Sequence, residues 1–222
     1  MTRPHHEFNT NGNSYRDGSK WISPHTNLLS IEPNDLARLA KTGSPSAFAE
    51  LVRRYRPGLL RVLEKRLHGH VDDAEDIAQE TLTRAWQKIR SFDERYRFAT
   101  WLYTIAIRLA IDKGRRRKAI YLAADPVDQT SLGPQAFDRR DDSHNLWATA
   151  HQVLSSSGYT ALWLRYGEDL SVTEIAKVLG KTKVGVRVTL HRARQTLAPH
   201  LLKFMEHEEN LQRDVAARGE IL

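Results

Sequence analysis

The chain has 222 residues, of which 40% are hydrophobic, and its formal net charge of +7 favours a polyanionic partner such as nucleic acid or an anionic membrane surface. It contains no cysteine, which excludes disulfides, thiolate metal sites and cysteine nucleophiles. No stretch has the apolar length of a signal peptide core or a membrane span, so we expect a cytoplasmic protein without membrane insertion.

The first elements are a tail and two helices. Residues 1–32 are rich in Asn, Ser, Gly, His and Pro and show no apolar period, which predicts a flexible tail. A helical pattern begins at Asn34 and predicts the first helix. Gly43, Ser44 and Pro45 then supply a helix stop, an N-cap and a first-turn proline, so a second helix is predicted to begin there. Its apolar residues recur at the spacing of one buried face, and Pro57 should kink or interrupt it.

A third helix is predicted from about Asp73, because apolar residues recur at helical spacing and acidic residues cluster in its first turn. A polar, aromatic loop, residues 91–97, separates it from another apolar stripe that runs into residues 113–118. Five of those six residues are basic. Residues 119–145 contain prolines, a glycine and five aspartates without a sustained period, which predicts a flexible linker.

The last part of the chain has the signature of a helix-turn-helix. Ser171 to Glu174 match a capping box, Gly180 ends that helix, and Thr182 can cap the next. Between Lys181 and Arg194 there are five Lys or Arg residues and no acid. We expect Lys183, Arg187, His191 and Arg194 to lie opposite the apolar side of this helix. Such a face suits the phosphates and base edges of a DNA major groove, although a merely solvated face is the alternative.

The predicted fold class is therefore all-α, with two small helical domains joined by a flexible linker. We place the first domain at residues 33–118 and the second, which holds the helix-turn-helix, at residues 146–198. Residues 199–222 form an extension that is either a short regulatory helix or a frayed end.

Two separated segments resemble the extracytoplasmic-function sigma factors of the sigma-70 family. Asp73-Ala-Glu-Asp-Ile-Ala-Gln-Glu-Thr-Leu-Thr-Arg-Ala-Trp86, followed by Phe98–Ala106 and Asp112, is similar to the family's second conserved region. Leu162–Tyr166, Ser171–Gly180 and Leu190–Arg194 together are similar to its fourth region. Both motifs in this order, on either side of a linker, are strongly specific.

The resemblance implies a sigma factor that binds core RNA polymerase, recognises −35 and −10 promoter elements, and promotes DNA opening. Residues 33–118 would contact the clamp helices of the largest polymerase subunit and the −10 element. Residues 146–198 would contact the −35 element. The flap is a further polymerase surface that the resemblance implies as a partner. The resemblance also implies promoter DNA and an anti-sigma factor as partners, no cofactor, no metal and no enzymatic activity.

Family position assigns three sets of residues. The polymerase-binding set is Asp76, Gln79, Glu80 and Arg84. The set for −10 DNA and strand opening combines loop aromatics with cations, because capture of an unpaired base needs a stacking surface beside phosphate contacts; it comprises Phe92, Arg95, Tyr96, Arg108, Lys113, Arg115, Arg116 and Arg117. The −35 set is Thr182, Lys183, Arg187, His191 and Arg194.

The chain departs from the family pattern at positions that affect specificity. Ile107-Arg108 stands where relatives usually carry Arg-Asn, so −10 specificity is not carried over from them. In the recognition helix, Val184-Gly185 and Val188-Thr189 replace Gly-Thr and Ser-Arg. We therefore expect altered −35 base contacts.

Three other functions fit the sequence less well. An autonomous helix-turn-helix regulator, which binds DNA by itself, explains the second domain and ignores the first. An anionic-membrane protein would need an exposed aromatic face opposite the cations. A metal site at His68, His70, Asp72 and Asp73 is disfavoured because residues two apart do not share a helix face.

Overall fold

The computed structural model describes residues 16–17, 20–21, 28–123 and 142–219, and it describes side chains for residues 28–116 and 146–201. Two-residue strands β1 (Arg16–Asp17) and β2 (Lys20–Trp21) pair antiparallel. Three-residue 3₁₀ turns occupy Leu28–Ser30 and Ile89–Ser91. The helices are α1 (Pro33–Lys41), α2 (Pro45–Arg66), α3 (Val71–Lys88), α4 (Phe98–Ala123), α5 (Asp142–Val153), α6 (Ser156–Leu162), α7 (Val172–Leu179) and α8 (Lys183–Gly219). The predicted all-α class is confirmed.

Helix α2 begins as predicted. The Ser44 hydroxyl accepts a hydrogen bond from the Ala47 backbone N–H at 3.3 Å, and Pro45 occupies the first turn. The predicted interruption at Pro57 does not occur, since α2 continues to Arg66. Pro57 lies on the exposed side of the helix, where solvent can bond to the carbonyl that the proline leaves without an N–H partner.

Helices α1 to α4 form the first helical unit, and aromatic side chains fill its centre. The rings of Tyr55, Phe92, Phe98 and Trp101 contact one another with centroids 5.4 to 5.8 Å apart. Buried aliphatic residues of α2, α3 and α4 surround this cluster. Because α4 packs on both α2 and α3, the loop before it, residues 91–97, is held at one end of the unit.

Helices α5 to α8 form the second unit, and the short helices in it are fixed by their caps. The Ser155 hydroxyl caps α6. The capping box on α7 is confirmed, with Ser171 and Glu174 each accepting from the other's backbone N–H. Gly180 ends α7 in the left-handed conformation, with φ of 62°, which glycine adopts without steric cost. Thr182 caps α8 by accepting from the Gly185 N–H at 3.0 Å.

Helix bounds refine the predicted segment boundaries. Helix α4 continues to Ala123 and α5 begins at Asp142, so both ends of the predicted linker are helical, and residues 124–141 lie outside the described part of the chain. Helix α8 continues through most of the predicted extension to Gly219. Among the helices that the structure describes, none is long and apolar enough to cross a membrane.

The two units pack against each other through α2 with α6 and through α4 with α7. Three polar contacts mark this junction. The Tyr103 hydroxyl donates to Glu168 at 2.6 Å, the Thr100 hydroxyl donates to Glu174 at 3.1 Å, and Ser156 donates to the Lys65 carbonyl at 2.8 Å. One continuous cluster of buried apolar residues runs through both units.

Candidate nucleic-acid interface

The exposed side of α3 carries a surface of mixed charge. Asp76, Gln79, Glu80 and Arg84 are all exposed, and they lie on the side of the helix away from its buried residues, which include Ile77 and Ala78. The Arg84 guanidinium donates to Glu80 at 2.5 Å along the helix. Because this rigid surface presents both signs of charge in a fixed order, it can set the register of a complementary protein helix.

The two aromatic residues of the loop 91–97 that were predicted to contact DNA differ in their exposure. Tyr96 is 42% exposed at the surface of the loop. Phe92 is only 1% exposed, because its ring packs against Phe98 and Trp101. The ring of Phe92 therefore belongs to the core of the first unit in this arrangement, and Tyr96 is the loop aromatic with an exposed face. The assignment of Phe92 to −10 DNA stays a prediction.

An ion pair orders the middle of the same loop. The Arg95 guanidinium donates to Asp93 at 2.7 Å, and the Arg95 backbone N–H also donates to this carboxylate. These side-chain and backbone hydrogen bonds lower the pKa of the Asp93 carboxyl to about 2. Asp93 therefore stays ionised at neutral pH, and it holds Arg95 at the surface of the loop.

The second unit covers part of this loop. The Lys177 ammonium lies 3.8 Å from the centroid of the Tyr96 ring, on its face. The Arg97 guanidinium donates to the backbone carbonyl of Asp169 and lies 3.7 Å from the Asp169 carboxylate. Lys177 of α7 therefore occupies a face of the Tyr96 ring on which an unpaired base could stack.

The basic residues of α4 do not all lie in one environment. Arg108, Arg115 and Arg116 are exposed. The Lys113 ammonium instead pairs with Asp73 at 2.8 Å and lies 4.0 Å from Asp76, so it joins α4 to the start of α3. The predicted DNA contact at Arg117 falls on a side chain outside the described residues.

A partly buried carboxylate lies where the two units meet. Glu168 accepts hydrogen bonds from Tyr103 at 2.6 Å and from the Trp163 indole N–H at 3.2 Å. Burial raises the pKa of the Glu168 carboxyl, although these hydrogen bonds and nearby Arg97 act in the opposite direction. Burial likewise raises the pKa of Tyr103 well above its ordinary value. This cluster fixes the junction and was not anticipated from the sequence.

The recognition helix α8 buries Val186, Leu190, Ala193 and Leu197. All five predicted −35 residues, Thr182, Lys183, Arg187, His191 and Arg194, are exposed. At about 100° per residue, however, Lys183, Arg187 and Arg194 lie beside the buried face rather than opposite it. The expectation that they occupy the opposite side is wrong, and only His191 lies close to that direction.

Two valines, which the sequence identified only as departures from the family pattern, lie near that direction. Val184 is 65% exposed and Val188 is 43% exposed. Their position could have been found by plotting the helix, because the buried residues fix the direction of the core.

Family comparisons match both units. Residues 51–120 match the model of Sigma-70 region 2, and residues 149–197 match that of Sigma-70, region 4. The ECF RNA polymerase sigma factor SigW of Bacillus subtilis is 34% identical over 173 residues, which cover 72% of this chain and 92% of SigW. The ECF RNA polymerase sigma factor SigE of Mycolicibacterium smegmatis is 33% identical over 193 residues, which cover 83% of this chain and 72% of SigE.

Two solved structures are also similar to this chain. CnrH, in complex with the cytosolic domain of CnrY, has a TM-score of 0.50 and 26% identity, with 76% of this chain and 96% of CnrH covered. RpoE of Bartonella quintana, in complex with the anti-sigma factor NepR, has a TM-score of 0.54 and 25% identity, with 70% of this chain and 96% of RpoE covered.

Proposed function

The chain belongs to the extracytoplasmic-function sigma factors of the sigma-70 family, which initiate transcription with RNA polymerase, and we propose that its two helical units divide promoter recognition between them. Residues 33–118 bind core polymerase and open the −10 element, and residues 146–198 read the −35 element. On this proposal the chain works in the cytoplasm, where core polymerase acts, and catalyses no reaction itself.

The pairing of the two units supports this proposal most strongly. The first unit presents a mixed-charge helical surface, and the second presents a basic recognition helix after a capped turn. An autonomous helix-turn-helix regulator would explain the match at residues 149–197, but it would not explain the match to region 2 at residues 51–120.

For polymerase binding, we assign the exposed side of α3. Asp76, Gln79, Glu80 and Arg84 would pair with a helix of complementary charge on the largest polymerase subunit. Contacts of this kind give register and specificity more than affinity. The Arg84–Glu80 ion pair is half exposed, so a partner can exchange with it at little cost.

For strand opening, we assign Tyr96 as the stacking residue and the exposed arginines Arg95, Arg108, Arg115 and Arg116 as phosphate contacts. An aromatic face receives any unpaired base, and flanking cations hold the strand backbone. Lys113, which pairs with α3, keeps the basic end of α4 beside the polymerase-binding surface.

Promoter geometry requires the two units to separate. On B-form DNA the −35 and −10 elements lie about 25 base pairs, or roughly 85 Å, apart. The units contact each other directly in this structure, with Lys177 over Tyr96. Residues 124–141 can span up to about 60 Å when extended, and the width of each unit adds to that reach.

A protein partner that controls this chain is also part of the proposal. Two similar proteins were solved in complexes, CnrH with the cytosolic domain of CnrY and the sigma factor RpoE with the anti-sigma factor NepR. We propose an anti-sigma factor for this chain that binds the first unit over the polymerase-binding surface.

Transcription in vitro tests the function. Purified bacterial core polymerase is supplied with a randomised promoter library, with and without the full chain. We expect transcripts only with the chain, from templates that share two spaced elements. Binding to duplex DNA with no transcripts and no co-elution with core polymerase would favour the autonomous regulator.

A matched pair of charge reversals tests the polymerase surface. Arg84 and Arg38 are both about half exposed, and each pairs with an acid on its own helix. We expect Arg84→Glu to abolish co-elution with core polymerase and transcription while the helical circular dichroism is retained. Arg38→Glu, on α1, should leave both functions intact. Equal behaviour of the two variants would remove α3 from the proposed surface.

A further inference from the structure

The outward face of the first two turns of α8 is apolar at its centre. Val186, Leu190, Ala193 and Leu197 define the buried direction of α8. At about 100° per residue, Val184 and Val188 lie within roughly 30° of the direction opposite to it. They are the most outward-facing side chains in the first two turns of the helix.

Cations flank these two valines. Arg187 lies on one side of them and Arg192 on the other, and both arginines are exposed. Between Lys181 and Arg194 the chain has no acidic residue. An anionic surface that docks here would meet arginine at its edges and valine at its centre, which is the layout of a DNA major groove with phosphates on both rims.

Valine restricts what the centre of this face can read. It has no hydrogen-bond donor or acceptor, so it cannot recognise the polar edge of a purine or of cytosine. The major groove offers one apolar group, the C5-methyl of thymine. Residues near the N-terminus of a recognition helix are the ones that reach base edges. Val184 and Val188 occupy the first two turns of α8, which begins at Lys183.

We propose that Val184 and Val188 determine −35 specificity by packing against thymine methyl groups in the major groove. This inference rests on the proposed function, because it assumes that α8 enters the −35 element. Side chains four residues apart on a helix lie about 6 Å apart. With a rise of about 3.4 Å per base pair, the two methyls are then one or two base pairs apart.

Deoxyuridine provides the test, since it lacks only the methyl group of thymine. The −35 sequence is first selected by transcription from the promoter library. Each thymine in it is then replaced singly by deoxyuridine, and binding of the holoenzyme, formed with the full chain, is measured by fluorescence anisotropy. We expect one or two positions to lose about fourfold in affinity, the equivalent of ~0.8 kcal/mol for one buried methyl-sized group.

Alanine variants then assign those positions to the valines. Val184→Ala and Val188→Ala remove exposed methyls and favour the helix, so both should fold. At the position that each valine contacts, the loss caused by deoxyuridine should be clearly smaller in the variant, because alanine retains only the Cβ of the contact and the two losses are not additive in a double-mutant cycle. Thr196→Ala, an exposed β-branched residue on the same helix, should keep the full deoxyuridine effect.

The outcomes separate this inference from the proposed function. Absence of any promoter-dependent transcript would refute the proposed function and, with it, the inference. Normal transcription with no thymine sensitive to deoxyuridine would refute the inference alone. Sensitivity that persists unchanged in both alanine variants would also refute it, because another side chain would then contact the methyl.

Discussion

Replacing Gly58 by alanine should destabilise the protein, although alanine normally stabilises a helix. Gly58 lies in α2, where the two units meet. A Cβ at this position would lie 2.7 Å from the Tyr103 hydroxyl, 2.9 Å from a ring carbon of Trp163 and 3.1 Å from a Glu168 oxygen. Since these groups are hydrogen-bonded to one another, they cannot move away independently.

The expected magnitude follows from two opposing effects. Overpacking a buried site costs about 1–3 kcal/mol, and two contacts under 3.0 Å place Gly58→Ala near the upper value. The higher helix propensity of alanine stabilises α2 by about 1 kcal/mol and offsets part of this cost. The net loss of about 2 kcal/mol should lower the melting temperature by about 4–8 °C in a protein of this size.

Gly114 supplies the control for this prediction. It is also helical, in α4, but a Cβ there would meet nothing within 4 Å. Gly114→Ala should therefore raise the melting temperature by a few degrees. Both variants are compared with the wild-type chain by thermal unfolding followed by circular dichroism. An increase in Gly58→Ala equal to that in Gly114→Ala would show that the two units do not pack as described.

Two further predictions concern polar groups in the second unit. Ser171→Ala should lower the free energy of unfolding by about 1 kcal/mol in urea, because it removes the α7 cap, whereas Thr173→Ala on the same helix should change it by less than about 0.5 kcal/mol. Burial raises the pKa of Glu168 in the folded chain, so the stability that this group contributes is complete below its ordinary value of 4.5 and is lost as pH rises through the raised folded value. Glu168→Gln does not titrate, and the wild-type chain should therefore lose more stability than this variant between pH 4 and pH 7; parallel pH profiles from urea unfolding would contradict the assignment.

Local features of the fold could be predicted from the sequence because neighbouring residues determine them. The Ser44 cap, the capping box of Ser171 and Glu174 and the left-handed Gly180 all depend on residues a few positions apart. The burial of Phe92 could not be predicted in the same way. It depends on how α4 returns across the end of the first unit and brings Trp101 against the ring.

The contacts at the junction between the units could not be predicted from the sequence for a similar reason. Tyr103 and Glu168 are far apart in the chain, and no periodic pattern links them. A buried tyrosine hydroxyl indicates that some partner exists, but it does not identify the partner. The valines of α8 differ from this case, because the helical period alone places them outward, and both are exposed in the structure.

Arg54 determines how the N-terminal segment is anchored. Its guanidinium donates to the backbone carbonyls of Leu28, Leu29 and Ile31 at 2.8 to 2.9 Å, and its Nε donates to Glu50 at 2.7 Å. A force applied to the chain before residue 28 is therefore transmitted through Arg54 to the middle of α2 before it reaches the start of α1. Tension on the N-terminus would load the long helix at the centre of the first unit and leave α1 mechanically shielded.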